Sequence, residues 1–306
     1  MMANVKNVII HYVLACLGIV ILLASPAVVN GLGSFAGSVL TIMKGILQPG
    51  DLFYYVHGET RTFPKMPEAR SEVFHQQAVE KELFPAILEP YLYSLLLLIC
   101  SFFIAIVMAA FAGLLVSWLP PFFRKMVLKG SQLLESLPDV FFIFSMQLAV
   151  IWIYKKTGLE ITSAYSTPRE QVFLLPLMAL SIVPAIYMFR VQALLMEEEN
   201  MKEYILYAKS KGLSKFYIVL QHSFRNTIME SIAHLPGLIL LLFTNLVIIE
   251  FLFHSHGMIS FVLGDQPAAS RTLLLILLMT PFFLILKGTA RFREGFYQKT
   301  TGGLKG

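Results

Sequence analysis

The residues able to carry out chemistry are few and widely separated. Cys16 and Cys100 both lie inside apolar runs, so the sequence contains neither a disulfide framework nor a Cys-x-x-Cys redox pair. His254 and His256 are spaced i, i+2, which suits a turn or a strand but does not place them on one face of a helix. Because no third ligand is close in sequence, we expect histidines without a metal rather than a metal site.

Motifs of intramembrane proteases and of nucleotide-binding proteins are missing. A serine protease would need a Gly-x-Ser-x-Gly-like turn and a metalloprotease a His-Glu-x-x-His pair, and the stretch 31–34, Gly-Leu-Gly-Ser, is only loop-like. The Gly-x-x-x-x-Gly-Lys-Ser/Thr loop that holds nucleotide phosphates is missing too. We therefore expect no catalytic residue, no cofactor and no bound ATP in this chain. An intramembrane protease and a secondary transporter or channel stay open as alternatives, although no inverted repeat marks the latter.

Residues 197–226, called the elbow segment below, interrupt the apolar pattern of the chain. The apolar positions near its start recur at helical spacing and predict a short amphipathic helix; they are Met201, Tyr204, Ile205 and Ala208. Gly212 predicts the end of this helix, because glycine takes a left-handed conformation without a steric penalty. Ser214 can cap a second short helix over 215–222. We expect two short helices that meet at a glycine turn.

Two functions suit such a segment. A basic amphipathic helix can rest on anionic lipid headgroups. A rigid protruding turn can instead enter a groove in another protein. Periodicity alone favours the first interpretation.

The elements that position these residues follow from composition. Among 306 residues, 24 are Lys or Arg and 19 are Asp or Glu, hydrophobic residues make up 57%, and the mean hydropathy is +0.70. Charged residues are too few to cover a protein surface exposed to water. Lipid must therefore be the main solvent. The net charge of +5 does not indicate a nucleic-acid partner, because the basic residues lie where a bilayer would sort them.

Long charge-poor stretches predict an all-α membrane protein with six transmembrane helices. We place them at 8–29, 91–119, 131–154, 171–189, 231–249 and 272–286. The sixth is short, about 22 Å of helix, so Arg271 and Lys287 must snorkel or the helix must extend into 266–270.

The distribution of Lys and Arg predicts the orientation. They collect at both chain ends and in the connections between spans two and three and between spans four and five. The short connections of the other side hold only Lys155, Lys156, Arg169 and Arg271. Because cytoplasmic connections carry the excess of basic residues, we expect both termini in the cytoplasm. The expected order is an N-terminal transmembrane helix at 1–30, an extracytoplasmic loop region at 31–89 with an exposed helix over 68–83, a five-helix core at 90–290 and a cytoplasmic tail at 291–306.

The elbow segment also carries a family resemblance. The sequence YAKSKGLSKFYIVLQHSFRNTIM resembles the signature loop of importer-type ABC permeases of the peptide and nickel branch, where an Ala, a basic pair, Gly-Leu and a later His-x-x-Arg-Asn recur. The matching residues are Ala208, Lys209, Lys211, Gly212, Leu213, His222, Arg225 and Asn226.

Other stretches extend the resemblance, which is good over about 134–264. Residues 136–138, Ser-Leu-Pro, resemble a Ser-Ile-Pro of that branch, and 49–51, Pro-Gly-Asp, resemble a tripeptide after its first span. Residues 247–257 resemble its Glu-aromatic-Pro-Gly stretch. Two departures stand out: the Glu-Ala-Ala of the general motif is Leu206-Tyr207-Ala208 here, and the Trp-Pro-Gly type of turn is Ser255-His256-Gly257.

The resemblance implies a fold, a function and partners. The fold would be that of a type I ABC importer permease in the bacterial inner membrane. The chain would form the pathway for di- or oligopeptides, or for nickel or a metal chelate. Its partners would be an ATP-binding cassette ATPase that binds ATP and Mg²⁺, a second homologous permease subunit and an extracytoplasmic substrate-binding protein.

The resemblance further implies that the elbow segment is a coupling loop received by a groove of the ATPase. We expect Ala208 to allow close approach, Gly212 to make the bend, and Lys209 and Lys211 to meet acidic surface, with Tyr204 and Tyr207 beside them.

The translocation pathway would be lined from spans three to five. Polar residues there normally face the bundle interior or a wet cavity, and prolines can kink their helices. The candidates are Asp139, Gln147, Pro184, His234, Pro236, Thr244 and Asn245. Asp139 lies near a helix end, where interfacial water makes a charge inexpensive, so a purely structural role fits it equally well.

Overall fold

The computed structural model describes residues 2–57, 78–167, 170–264 and 266–302, and most of them are helical. Six helical stretches in this part of the chain are long and apolar enough to span a membrane. They are Lys6–Asn30, Leu88–Trp118, Asp139–Thr157, Leu174–Glu199, Lys215–Leu252 and Ala268–Gly295. The predicted all-α class with six spans is confirmed. The chain divides into two compact units, which are described separately.

The first unit contains residues up to Leu92 and Ser260–Thr280. Helix α1 (Met2–Ala24) is followed by a 3-10 turn (Ser25–Asn30) and by α2 (Leu32–Leu47). The two helices pack through a small core in which Val20, Ala24 and Ile42 are buried.

The expectation that 31–34 form a loop is wrong for 32–34, which belong to α2. Its apolar residues Phe35, Val39, Ile42 and Ile46 lie at helical spacing and pack towards α1. The interspersed glycines and serines hid this periodicity in the sequence.

A β-hairpin follows in the same unit. Strand β1 (Phe53–His57) pairs antiparallel with β2 (Ala78–Glu82), with Phe53 opposite Glu82. The prediction of a helix over 68–83 is therefore wrong at 78–82, and 68–77 lie outside the described residues. Strand β1, with the sequence Phe-Tyr-Tyr-Val-His, has high β propensity. It lies more than twenty residues before β2 in sequence, so the residues around 78–82 do not by themselves indicate a strand.

The hairpin is fixed to the start of α12 (Ala268–Gly302) within this unit. The Ser270 hydroxyl donates to the carbonyl of Phe53 at 2.7 Å. The Gln266 side chain both accepts from the Tyr55 amide at 2.7 Å and donates to the Tyr55 carbonyl at 3.0 Å. Residues 268–270 belong to α12, so the sixth span begins before Arg271. This agrees with the expected alternative in which the helix extends into 266–270.

The second unit contains Tyr93–Ile259 and the chain from Pro281 onward. Its helices are α3 (Leu88–Trp118, largely in this unit), α4 (Pro121–Glu135), α5 (Asp139–Thr157), α6 (Leu174–Glu199), α7 (Glu203–Ser210), α8 (Lys215–Ile218), α9 (Arg225–Ser231), α10 (Leu235–Leu252), the start of α11 (Met258–Leu263) and the part of α12 from Pro281 onward. Helix α6 is the most buried of the six spans and packs against α4, α5, α9 and α10. It is therefore the central helix of this unit.

The third span begins later than the sequence predicted. Helix α4 ends at Glu135 and α5 starts at Asp139, so 131–138 do not belong to one continuous helix with 139–154. Pro138 has no amide to donate and disfavours helical backbone at the residue before it, which separates the two helices. Helix α4 is therefore separate from the third span and has several exposed apolar side chains. Glu135 at its end pairs with Arg190 of α6.

Candidate functional site

The elbow segment has the predicted bend. Helix α7 ends at Ser210, and Gly212 follows with φ +78°, a left-handed conformation that favours glycine. Ser214 caps α8, because its hydroxyl oxygen accepts from the Tyr217 amide at 3.3 Å. Both predictions are confirmed. The second arm differs from the expected helix over 215–222, since it continues through a π-helical turn, Val219–Phe224, into α9.

Ala208 lies inside the bend. Its side chain is buried together with Ile205 and Ile218, so these three residues form the seam between α7 and α8. We expected Ala208 to allow close approach of a partner. In the structure its small size allows the close approach of α8 instead.

The outward face of the bend is aromatic and basic. Tyr207 is 62% exposed and Phe216 is 60% exposed, and Leu213 lies between them in sequence and is also exposed. The Lys211 ammonium lies 4.5 Å from the centre of the Tyr207 ring, a cation–π contact. The Lys209 side chain lines a cavity behind the bend, and Leu213, although exposed, lines the same cavity.

A buried carboxylate anchors the first arm. Glu199, the last residue of α6, is 1% exposed. It accepts hydrogen bonds from the Tyr204 hydroxyl and, at 2.8 Å, from the Asn226 amide, and it pairs with the Lys202 ammonium. Asn226 also donates to the Tyr204 hydroxyl at 2.9 Å. Glu199 thus joins α6, α7 and α9 at one point.

The Glu199 contacts change the titration of the two neighbours that lie between the spans. The hydrogen bond to Glu199 is the main cause that raises the pKa of Lys202. Withdrawal of the hydroxyl from water, and then its hydrogen bond to Glu199, raise the pKa of Tyr204 to about 12. Both shifts favour the protonated forms that hold the arm together.

Buried polar pairs continue the attachment along α6. Gln192 donates to the Thr227 hydroxyl at 2.8 Å and accepts from Ser231, and all three residues are buried. Ser223 donates to the Asn200 side chain at 2.8 Å. Such bonds in a low-dielectric interior resist rearrangement, so α9 and the end of α6 form one stiff piece.

The second arm contacts the end of α3. The Lys215 ammonium donates to the Trp118 carbonyl at 3.1 Å, and the Phe216 ring stacks on Trp118 with centroids 5.5 Å apart. His222 lies between the rings of Tyr204 and Tyr217, at centroid distances of 6.3 and 5.9 Å. Arg225 is exposed at the start of α9.

The pathway candidates lie apart along α5, α6 and α10. Asp139 is in the first turn of α5, and Gln147 donates to the Ala164 carbonyl at 3.1 Å. Pro184 is buried inside α6. Pro236 is in the first turn of α10, shortly after the 3-10 turn Ile232–His234 that interrupts the helical stretch Lys215–Leu252, and a kink at this proline stays a prediction.

The remaining candidates lie just before α10 or within it. His234 ends the 3-10 turn Ile232–His234 before the helix. The exposed Thr244 donates to the Leu240 carbonyl at 2.9 Å. Asn245 is 2% exposed, and its side-chain oxygen has no hydrogen-bond partner within the described chain. No hydrogen bond in the described ranges joins two pathway candidates.

Comparison with known proteins identifies the family. Residues 105–288, more than half of the chain, match the family described as binding-protein-dependent transport system inner membrane component. The chain belongs to this family. The match includes the elbow segment, and the all-α fold with six candidate spans agrees with a type I ABC permease, a multi-pass membrane protein.

One relative is named for a peptide transport system. A stretch of 96 residues is 34% identical to the dipeptide transport system permease protein DppB of Bacillus subtilis (strain 168). The aligned part covers 31% of this chain and 30% of the relative.

A second buried polar cluster, around Glu250, was not predicted from the sequence. Glu250, 3% exposed in α10, accepts from the Ser94 hydroxyl at 2.5 Å and from the Ile259 amide at 2.9 Å. Ser94 also accepts from the Met258 amide at 2.7 Å. A Cβ on Gly257 would come within 2.2 Å of the Glu250 carboxyl group, so only glycine fits there. Ser94 and Glu250 thereby fix the turn between α10 and α11.

The two histidines of that turn take separate positions. His254 has φ +50°, and the His256 carbonyl accepts from Gln171 at 3.3 Å. Over the described ranges, no group of three or more His, Cys, Asp or Glu side chains could hold a metal ion.

Proposed function

We propose that this chain is the permease subunit of an ATP-driven ABC importer in the bacterial inner membrane. It forms the translocation pathway together with a second, homologous permease subunit, and an extracytoplasmic binding protein delivers the substrate. Both termini and the elbow segment lie in the cytoplasm. ATP and Mg²⁺ are bound by a separate ATPase. Family membership supports this proposal, and so does the basic character of the connections on one side of the chain.

The observation that carries the mechanism is the attachment of the elbow segment to α6 through Glu199. An ATPase can move a membrane span only through a part that does not deform. The elbow segment and α6 form such a rigid part. They are joined by the buried Glu199 carboxylate with its three partners and by the hydrogen bonds among Gln192, Thr227 and Ser231. Movement of the bend is then transmitted to the central helix of the second unit.

The residues of the coupling loop divide into two groups in this proposal. Tyr207 and Lys211 enter the groove of the ATPase, because they lie on the exposed face, and Leu213 is exposed beside them although it also lines the cavity behind the bend. The others hold that face in place: Tyr204 and Asn226 through Glu199, Ala208 and Gly212 in the bend, and His222 between aromatic rings. Lys209 and Arg225 contribute positive charge beside the docking face.

The substrate class we propose is a di- or oligopeptide. The relative named for dipeptide transport supports it over the region of similarity. Nickel or a metal chelate is the other substrate of the branch that the sequence resembles. The pathway residues proposed are Asp139, Gln147, Pro184, His234, Thr244 and Asn245.

Two glycines provide the test. Gly212 (φ +78°) and Gly158 at the end of α5 (φ +71°) have the same left-handed backbone, and a Cβ on either would meet open space. Proline cannot adopt this φ, and it removes the amide bonds to the carbonyls of Lys209 and Tyr154 respectively. We expect Gly212→Pro to abolish ATP-dependent uptake of a labelled dipeptide while the chain still inserts into the membrane. Gly158→Pro should retain uptake. Equal loss in both variants would contradict the proposal.

A further inference from the structure

A cavity of about 330 Å³ lies behind the elbow segment, in the second unit. It is bounded by the end of α3, the first turn of α4, the end of α6 and the inner side of the bend, and its volume is that of a small ligand site. Three cationic side chains line it: Arg124, Lys209 and Lys215.

The positive charge in this cavity is not neutralised by the described part of the chain. None of the three side chains forms an ion pair there. Glu197 lines a small adjoining gap beside Arg124 without pairing with it. Three cations around one space repel one another, and a bound anion would remove that repulsion.

The hydrogen bonds of the cations point to the same conclusion. Arg124 uses one terminal nitrogen to donate to the carbonyls of Ser117 at 3.1 Å and Leu119 at 3.4 Å, but its buried Nε has no partner in the described structure. A buried donor without an acceptor is costly. The Lys215 ammonium donates to the Trp118 carbonyl, and the Lys209 ammonium has no hydrogen bond within the described part of the chain. Donors from all three remain for an external acceptor.

We infer that this cavity binds the phosphate group of an anionic phospholipid. Guanidinium and ammonium groups are the usual protein ligands of phosphate. Lipid is favoured as the source because the cavity lies where a span ends, beside an exposed apolar surface. Phe122 is 74% exposed and Phe123 and Met126 are also exposed on α4 next to Arg124. Basic helices with such faces lie at the membrane surface, so acyl chains can run beside α4 while the headgroup enters the cavity.

This inference goes beyond the proposed function. A phosphate held between Lys209 of the first arm, Lys215 of the second arm and Arg124 would brace the bend against the end of α3. Anionic lipid would then stiffen the elbow segment whatever substrate the transporter carries.

Two lysines on the same bend test the inference. Lys209 lines the cavity, whereas Lys211 lies on the outward face over Tyr207, so the two differ in position but not in charge. The full chain is purified and reconstituted in nanodiscs of phosphatidylcholine with or without phosphatidylglycerol, and retained lipid is measured by native mass spectrometry. We expect retained phosphatidylglycerol in the wild type and in Lys211→Gln. In Lys209→Gln the affinity of the chain for phosphatidylglycerol should fall about fivefold, because one lysine near an anionic surface contributes about that factor to binding.

Other results would overturn the inference. Equal loss in Lys209→Gln and Lys211→Gln would mean that the surface charge alone attracts lipid. Displacement of phosphatidylglycerol by millimolar inorganic phosphate would assign the cavity to a small free anion. Displacement by a co-purified ATPase would assign it to an acidic side chain of that protein. Arg124→Lys, which keeps the charge but loses the Nε donor, should weaken retention without changing the thermal stability of the lipid-free chain.

Discussion

Asn226 donates its side-chain amide to the buried carboxylate of Glu199 at 2.8 Å, which joins the first turn of α9 to the last residue of α6 across 27 positions of sequence. The same carboxylate holds Tyr204 and Lys202 at the start of the elbow segment. Glu199 is therefore an attachment point shared by α7 and α9 on the central helix.

Removal of the anchor should loosen the elbow segment. Glu199→Ala removes the acceptor of the Tyr204 hydroxyl and one of the two acceptors of the Asn226 amide, which we expect to lower the free energy of unfolding by about 1–3 kcal/mol. Thermal unfolding of the purified chain and proteolysis within 200–226 measure this. Glu198→Ala is the matched control, because Glu198 is an exposed acid one residue away. A similar loss of stability in both variants would contradict the anchoring role.

The turn after α10 should not tolerate a side chain at Gly257. A Cβ there would lie 2.2 Å from the Glu250 carboxyl group, so Gly257→Ala must displace a carboxylate that is held by Ser94 and Ile259. We expect a clear fall in the melting temperature. Gly288→Ala is the control, since a Cβ on that helical glycine meets open space and alanine favours helix. An unchanged melting temperature for Gly257→Ala would show that the turn is not fixed as described.

Alkaline pH should weaken the first arm. The folded-state pKa of Tyr204 is raised to about 12 and that of Lys202 is raised as well. A raised folded pKa stabilises the fold below the pKa of the unfolded chain, about 10 for both groups, and this stabilisation is lost as the pH rises from about 10 towards the folded values. Tyrosinate absorbance is measured against pH for the wild type and for Tyr204→Phe. The difference between the two curves, which reports Tyr204, should have its midpoint near pH 12. A midpoint near that of free tyrosine would contradict the buried hydrogen bond.

Labelling from the two sides of the membrane checks the orientation. With Cys16 and Cys100 replaced by serine, we expect Lys211→Cys to react with an impermeant maleimide only when the cytoplasmic side is accessible. Lys155→Cys at the end of α5 should react only from the outside. The reverse pattern would contradict the prediction from the basic residues.

Features that depend on neighbouring residues were predictable from the sequence. Gly212 ends α7 and Ser214 caps α8 because backbone conformation and hydrogen-bonding needs there are local. The six spans were visible because a bilayer requires continuous apolar length. The break before α5 was less visible, since the apolar residues on both sides of Pro138 concealed the effect of a single proline.

Features that depend on distant residues were not predictable. Glu197, Glu198 and Glu199 are identical in type and adjacent in sequence, and only the folded contacts with Asn226 distinguish the third. Glu250 binds Ser94, which lies 156 positions away. Pairing of β1 with β2 is likewise set by a partner strand far along the chain.

The most direct test of the central claim is photo-crosslinking from the outward face of the bend. Tyr207 and Tyr154 are both exposed tyrosines, one on the elbow segment and one near the end of α5. Each is replaced in turn by a photoreactive amino acid in cells that also produce the ATP-binding cassette ATPase. We predict that position 207 crosslinks to the ATPase in a nucleotide-dependent manner and that position 154 does not. Crosslinks from position 207 to lipid alone, with or without nucleotide, would contradict the account.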